Sequence, residues 1–198
     1  MKQSKTLSTR AVTSIAVASA VSFVLMQLNF NIPIAPAFVK FDFSDLPALI
    51  MSFSIGPVAG VMTELIKNIL NLFVTTTMGV GELSNFLLGC MFVVPAGIVY
   101  RRNKTRKNAL AAMLVGTLCF AFGGILSNLF IMFPFYTMVS GISMDVIIGM
   151  CSKILPFVDN KYEVILLSVT PFNILKGVVV SVVTFFLYKR ITPIIKGR

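Results

Sequence analysis

The stretch Val39-Lys40-Phe41-Asp42-Phe43-Ser44-Asp45-Leu46-Pro47 sets three charges between two long apolar runs. A charge beside a bilayer is costly unless it reaches water, a partner or a ligand. The stretch alternates polar with aromatic residues and then enters an apolar segment, so it separates two membrane-embedded pieces. Asp45 offers a cap for the second piece, because an acidic acceptor can meet free helix amides, and Pro47 falls in the first turn, where it loses no backbone bond. Two readings fit: a solvated loop leading into a helix, and a lid over a binding pocket.

The rest of the chain sets the context for this stretch. Of its 198 residues 57% are hydrophobic and 12% charged, and the mean hydropathy is +0.92. That composition belongs to an integral membrane protein. The expected fold is all-α, a single membrane-embedded domain over residues 1–198, with about six transmembrane helices at roughly 20 residues each. The net charge is +10. Lys2, Lys5 and Arg10, then Arg101, Arg102, Lys104, Arg106 and Lys107, then Lys189, Arg190, Lys196 and Arg198 together hold 12 of the 17 basic residues. Each cluster flanks an apolar run, so the positive-inside rule assigns all three, and with them both termini, to the cytoplasm. The partner expected for these charges is membrane lipid with anionic headgroups, and no nucleic acid.

Cys90, Cys119 and Cys151 lack metal-ligand spacing and lie mostly in apolar sequence, and histidine is absent. No metal site and no catalytic residue is expected, and the chain does not read as an enzyme.

In order, span one covers Ala11 to Leu28. It carries Ala16 and Ala20 four apart, with Ser14, Ala18 and Ser22 on a second row. Small residues at that spacing let helices approach closely, either within the chain or against a separate subunit. Span two begins at Asp45 and meets the turn signal Gly56-Pro57 after about a dozen residues, which makes it short. Span three, Val58 to Phe73, places Glu64, Lys67 and Asn68 on one face, where the acid and base can neutralise each other. Span four runs from Leu83 to Tyr100 after a polar outer turn, with Glu82 and Asn85 at its outer end, and Glu82 also suits a first-turn position. Span five runs from about Ala109 to Phe133, with Pro134 marking its exit and Asn128 near its outer end, an amide that needs partners in lipid. The connection from Pro134 to Glu163 carries Asp145, Lys153, Asp159, Lys161 and Glu163 and reads as solvated. Span six, Val164 to Tyr188, contains Pro171-Phe172-Asn173-Ile174-Leu175-Lys176. Pro171 can open the helix locally. Asn173 and Lys176 then share a face, and an intramembrane lysine reads by default as a functional site, with pairing to Glu64 or Glu82 as the alternative.

The opening stretch, Gly56-Pro57 with Ala59-Gly60 and Glu64-Leu65-Ile66-Lys67-Asn68, Gly79-Val80-Gly81-Glu82-Leu83-Ser84-Asn85-Phe86, and Pro171-Phe172-Asn173-Ile174-Leu175-Lys176 occur in this order. Together they resemble the riboflavin-binding S component of energy-coupling factor (ECF) transporters, over nearly the whole chain; Phe133 to Glu163 carries no matching motif. The Ala16–Ala20 pair is similar to the motif by which S components dock on the transmembrane coupling subunit. The resemblance implies a multi-pass cell-membrane protein that captures riboflavin near the outer face under the loop between spans one and two. It implies ligand contacts from Val39, Lys40, Phe41, Asp42, Asp45, Glu82, Asn85, Asn128, Asn173 and Lys176. Asn128, Asn173 and Lys176 would donate hydrogen bonds, Glu82 and Asn85 would accept them, and Phe, Leu and Met side chains would wall the ring. Riboflavin would be cargo rather than a cofactor, and the chain would have no ATPase activity. The coupling subunit and two ATP-binding subunits would drive its toppling. Two other readings stay open: an S component for a different small molecule, and an autonomous carrier or channel.

Overall fold

The computed structural model describes residues 8–32 and 39–197. Lys2, Lys5 and Arg198 of the basic clusters, the side chain of Lys196, and residues 33–38 of the expected outer loop lie outside that set.

Several helices start where the sequence supplies a terminus. Helix α1, Thr9–Gln27, is capped by Ser8, whose hydroxyl accepts from the Ala11 amide. Helix α2 is Asp45–Ser54. Helix α3, Pro57–Asn71, follows Gly56 at φ 145°, a conformation that favours glycine, with Pro57 in the first turn. Helix α4, Val80–Arg102, follows Gly79 at φ 88°. Helix α5, Arg106–Ser127, is capped by Thr105, which accepts from the Asn108 amide. Helix α6 is Met144–Ser152, α7 is the single turn Lys161–Glu163, and α8 is Thr170–Lys196.

Among the described residues five helical runs are long and apolar enough to cross a membrane: Thr9–Gln27, Pro57–Val74, Val80–Arg102, Arg106–Val139 and Lys161–Ile195. The ten-residue α2 is only about 15 Å long, yet nine of its residues are buried. It is the centre of the bundle, packed against α1, α3, α4 and α8. Small residues make this possible, since a Cβ added at Gly60 would stand 2.9 Å from Ser52 Cβ and 3.0 Å from the Ala48 carbonyl. Below them Phe53 stacks on Tyr100 at 4.3 Å and meets Tyr188 edge-on at 5.8 Å.

Three expectations are corrected. The helix expected to end at Pro134 continues to Val139, because five-residue turns absorb the proline: the Phe133 amide donates to Asn128 O and the Ser140 amide to Phe135 O. A similar wide turn over Val164–Val169 precedes Pro171, so the last long run begins at Lys161. The segment between them is more than a solvated connection. Its charged residues Asp145, Lys153, Asp159 and Lys161 are exposed, but Ile147, Cys151 and Val158 are buried in an apolar cluster with Phe133, Val164 and Val169. The period of α6 buries one face of a short helix, which an overall charge count does not reveal. Finally, Asp45 does not cap α2: it is the first helical residue and makes no capping bond, its carboxylate being drawn to lysines instead.

Candidate functional site

A cavity of about 320 Å³ lies where one end of α1, the loop before α2, the α3–α4 turn, α5 and α8 converge. Of the ten expected ligand contacts, Val39, Lys40, Asp42, Asp45, Glu82, Asn85, Asn128, Asn173 and Lys176 line it. Phe41 does not. It is buried behind the wall, pairs with Phe30 in a β-bridge, and packs against Phe43 and Phe172 with ring centroids 5.4 and 6.1 Å away. The bridge to Phe30 and the ring contacts hold Phe41 away from the cavity that its neighbours Lys40 and Asp42 line.

Charge is concentrated on the wall made by the loop, α2, α3 and α8. The Lys176 ammonium lies 3.1 Å from a carboxylate oxygen of Asp42 and 3.1 Å from one of Asp45. The other oxygen of Asp45 accepts from Lys67, which also donates to Ser44 Oγ at 3.0 Å and lies 2.7 Å from Glu64. Asp42 accepts from the Ser44 amide at 2.8 Å, which fixes the loop locally. The Glu64–Lys67 pairing read from spacing is present, with Asp45 as an added partner. The alternative partners for Lys176, Glu64 and Glu82, are replaced by Asp42 and Asp45. All five ionisable groups are buried, and mutual pairing is what makes such burial tolerable. An ammonium has three donors, so two ion pairs leave Lys176 one N–H for another acceptor.

The opposite wall is neutral or hydrogen-bonded. Glu82 accepts from Asn71 Nδ2 at 2.8 Å and from the Thr75 and Thr77 hydroxyls at 2.9 and 3.0 Å. A carboxylate has about four acceptor positions, so one remains. Asn128 Nδ2 donates to the Gly124 carbonyl at 2.8 Å. Asn85 Oδ1 and Asn173 Nδ2 have no hydrogen-bond partner. Leu88, Phe120, Met132 and Phe172 supply apolar surface between these groups.

Sequence reading missed Gln27, Asn71 and Tyr136, which also line the cavity. Gln27 and Asn71 bond to each other at 2.8 Å across α1 and α3. For Asn71 a signal existed: it continues the Glu64, Lys67, Asn68 stripe by one further turn. Tyr136 lies in the segment expected to be loop, so its helical phase was not available. Among the described residues no three His, Cys, Asp or Glu side chains gather as metal ligands.

On the opposite part of α1, Ala16 and Ala20 are exposed, whereas Ile15, Ser19 and Ser22 of the same helix are buried. The small-residue pair is therefore on the outside of the bundle.

The arrangement has known relatives. The family model for the substrate-specific component of ECF transporters matches residues 10–188. A riboflavin transporter RibU of Staphylococcus aureus is 33% identical over 196 residues, covering 99% of this chain and 95% of that protein. The riboflavin transporter FmnP of Bacillus subtilis is 30% identical over 187 residues, covering 93% of each. A solved S component of a bacterial ECF transporter superimposes with a TM-score of 0.74 at 30% identity, covering 96% of this chain and 99% of that one. With its five long apolar helices and these transporter relatives, the chain is a multi-pass cell-membrane protein and not an enzyme. It belongs to the family of substrate-specific components of ECF transporters.

Proposed function

We propose that this chain is the riboflavin-capturing subunit of an ECF-type vitamin uptake transporter, with the cavity as its binding site. The observation that carries this reading is the lining of one cavity by the polar side chains of Glu82, Asn85, Asn128, Asn173 and Lys176 together with apolar Leu88, Phe120, Met132 and Phe172. A few polar side chains placed around an apolar pocket fix the orientation of a small ligand. Riboflavin offers a flat, partly apolar ring with carbonyl acceptors and an N–H donor, and a hydroxylated tail. Asn128, Asn173 and the remaining N–H of Lys176 are the donors, Glu82 and Asn85 the acceptors, and Leu88, Phe120, Met132 and Phe172 the apolar walls. Val39, Lys40, Asp42 and Asp45 close the site from the loop side, with Phe41 as the wedge that anchors the loop. The relatives named as riboflavin transporters favour this ligand over another small molecule.

In this reading α2 is the sixth membrane-embedded helix, and both termini are cytoplasmic. Support comes from the exposed basic residues Arg101, Arg102, Lys104 and Lys107 at the α4–α5 turn and Lys189 and Arg190 near the end of α8. A transmembrane coupling subunit docks on the Ala16–Ala20 face, and two ATP-binding subunits drive the toppling that carries the vitamin inward. The test is the absorption spectrum of protein purified from riboflavin-containing cells. A flavin spectrum, with quenching of riboflavin fluorescence on titration of ligand-free protein, is expected. Colourless protein that leaves riboflavin fluorescence unchanged overturns the assignment, and uptake that persists without the ATP-binding subunits overturns the coupling.

A further inference from the structure

Glu82 differs from Asp42 and Asp45, the other two carboxylates on the cavity wall, which pair with lysines. It is buried, yet among the described residues no lysine or arginine pairs with it. Neutral donors hold it instead, and they fall unequally on its two oxygens. Oε2 accepts from the Thr75 and Thr77 hydroxyls at 2.9 and 3.0 Å. Oε1 accepts from Asn71 Nδ2 at 2.8 Å.

The two threonines are built into the α3–α4 turn. Thr75 Oγ1 accepts from the amides of Thr77 and Gly79 at 3.2 and 3.3 Å, and Thr77 Oγ1 from the Gly81 amide at 3.0 Å. A hydroxyl has one proton, so with backbone amides on their lone pairs both hydroxyls give that proton to Glu82. Glu82 is thereby an acceptor with Oε2 held in place. Two donors on one oxygen still let the carboxylate pivot about that oxygen. The bond from Asn71 to Oε1 sets its plane, and with it the direction of the acceptor position left for a ligand.

An amide can present either end to a neighbour. Asn71 presents its NH2 group to Glu82 because its Oδ1 accepts from Gln27 Nε2 at 2.8 Å. Gln27 is the last residue of α1, Asn71 the last of α3, and Glu82 lies in the first turn of α4. The bonds Gln27 to Asn71 to Glu82 therefore tie three helices together, and all three side chains line the cavity.

We propose that Asn71 is the positioning residue for Glu82 in ligand binding, and that Gln27 sets the polarity of the Asn71 amide, so that the site offers a fixed acceptor to a hydroxyl or N–H of its ligand. A site built around a fixed hydrogen-bonding group favours ligands that carry the matching group. The proposal rests on the reading of the cavity as a riboflavin site.

The test is a double-variant comparison of riboflavin affinity, measured by fluorescence quenching on the full chain in detergent, with the thermal midpoint of each ligand-free variant as the check on folding. Asn71→Ala should weaken binding roughly ten-fold. In the Glu82→Gln background the same replacement should change affinity by less than about two-fold, because the carboxylate it orients is gone. Gln27→Glu, at an exposed position, gives Asn71 Nδ2 a carboxylate to donate to and turns Oδ1 towards Glu82, so binding should fall again. In the Glu82→Gln background the turned Oδ1 meets an amide N–H instead, and Gln27→Glu should then cost no affinity. Losses that multiply in the Glu82→Gln background, or a folded Gln27→Glu variant that binds riboflavin as the unmodified chain does, overturn the proposal and leave the riboflavin reading standing. An unmodified chain that binds no riboflavin overturns both.

Discussion

The Lys176 ammonium stands 3.1 Å from the Asp42 carboxylate, joining α8 to the loop before α2 across 134 positions of sequence. Through Asp45 the same lysine is linked to Lys67 and hence to α3. The charged wall of the cavity and the anchor of the loop before α2 are thus one network, in which Lys176 is the group that holds the loop.

Replacing Lys176 by Ala should weaken riboflavin binding roughly ten-fold to over a hundred-fold, the cost of an unpaired acceptor on the ligand. Lys153→Ala, on an exposed position between the last two long helical runs, is the control and should bind as the unmodified chain does. Titration of riboflavin fluorescence measures both, and equal affinities would remove Lys176 from the site.

Lys67→Met should destabilise the fold by about 3–5 kcal/mol, because it strands the buried Glu64 carboxylate without a cation and leaves Asp45 to Lys176 alone. The measurement is the thermal unfolding midpoint of ligand-free protein in detergent. An unchanged midpoint would mean that the cluster does not need this lysine.

Asn173 has an unpartnered Nδ2, so Asn173→Ala should lower riboflavin affinity about ten-fold or more while leaving ligand-free stability nearly intact. Gly124→Ala should also lower the affinity, from the other side and with some loss of stability, since a Cβ there would strike the Asn173 amide. Affinity and midpoint measured together check the pair; a fall in stability without a fall in affinity contradicts the assignment.

Ala16→Leu with Ala20→Leu should abolish uptake in whole cells and leave riboflavin binding intact. Both alanines are exposed on α1 and neither lines the cavity. A branched side chain holds a partner helix away from a surface built for close approach. Normal transport, or binding lost as severely as transport, would show that this face does not dock the coupling subunit.

Hydropathy is a property of consecutive residues, so the class of the protein, the approximate position of its long helices and the short length of α2 were legible from the chain alone, but not the extension of two of those helices past Pro134 and before Val164. So were several polar cavity residues, because Asn85, Asn128, Asn173 and Lys176 interrupt apolar runs that give them no local reason to be there. Tertiary structure alone decided their partners. Glu64 and Lys67 are three residues apart and could be paired by helical period, but Asp42 and Asp45 reach Lys176 only because α2 is drawn into the centre of the bundle beside α8. The same holds for Phe41, which the sequence shows between charges and the fold turns into an aromatic cluster, and for Val158, which lies in a charged segment yet is wholly buried. Local pattern determines which residues must leave lipid or water; which groups they then meet depends on contacts between helices far apart in sequence, and no local period encodes those.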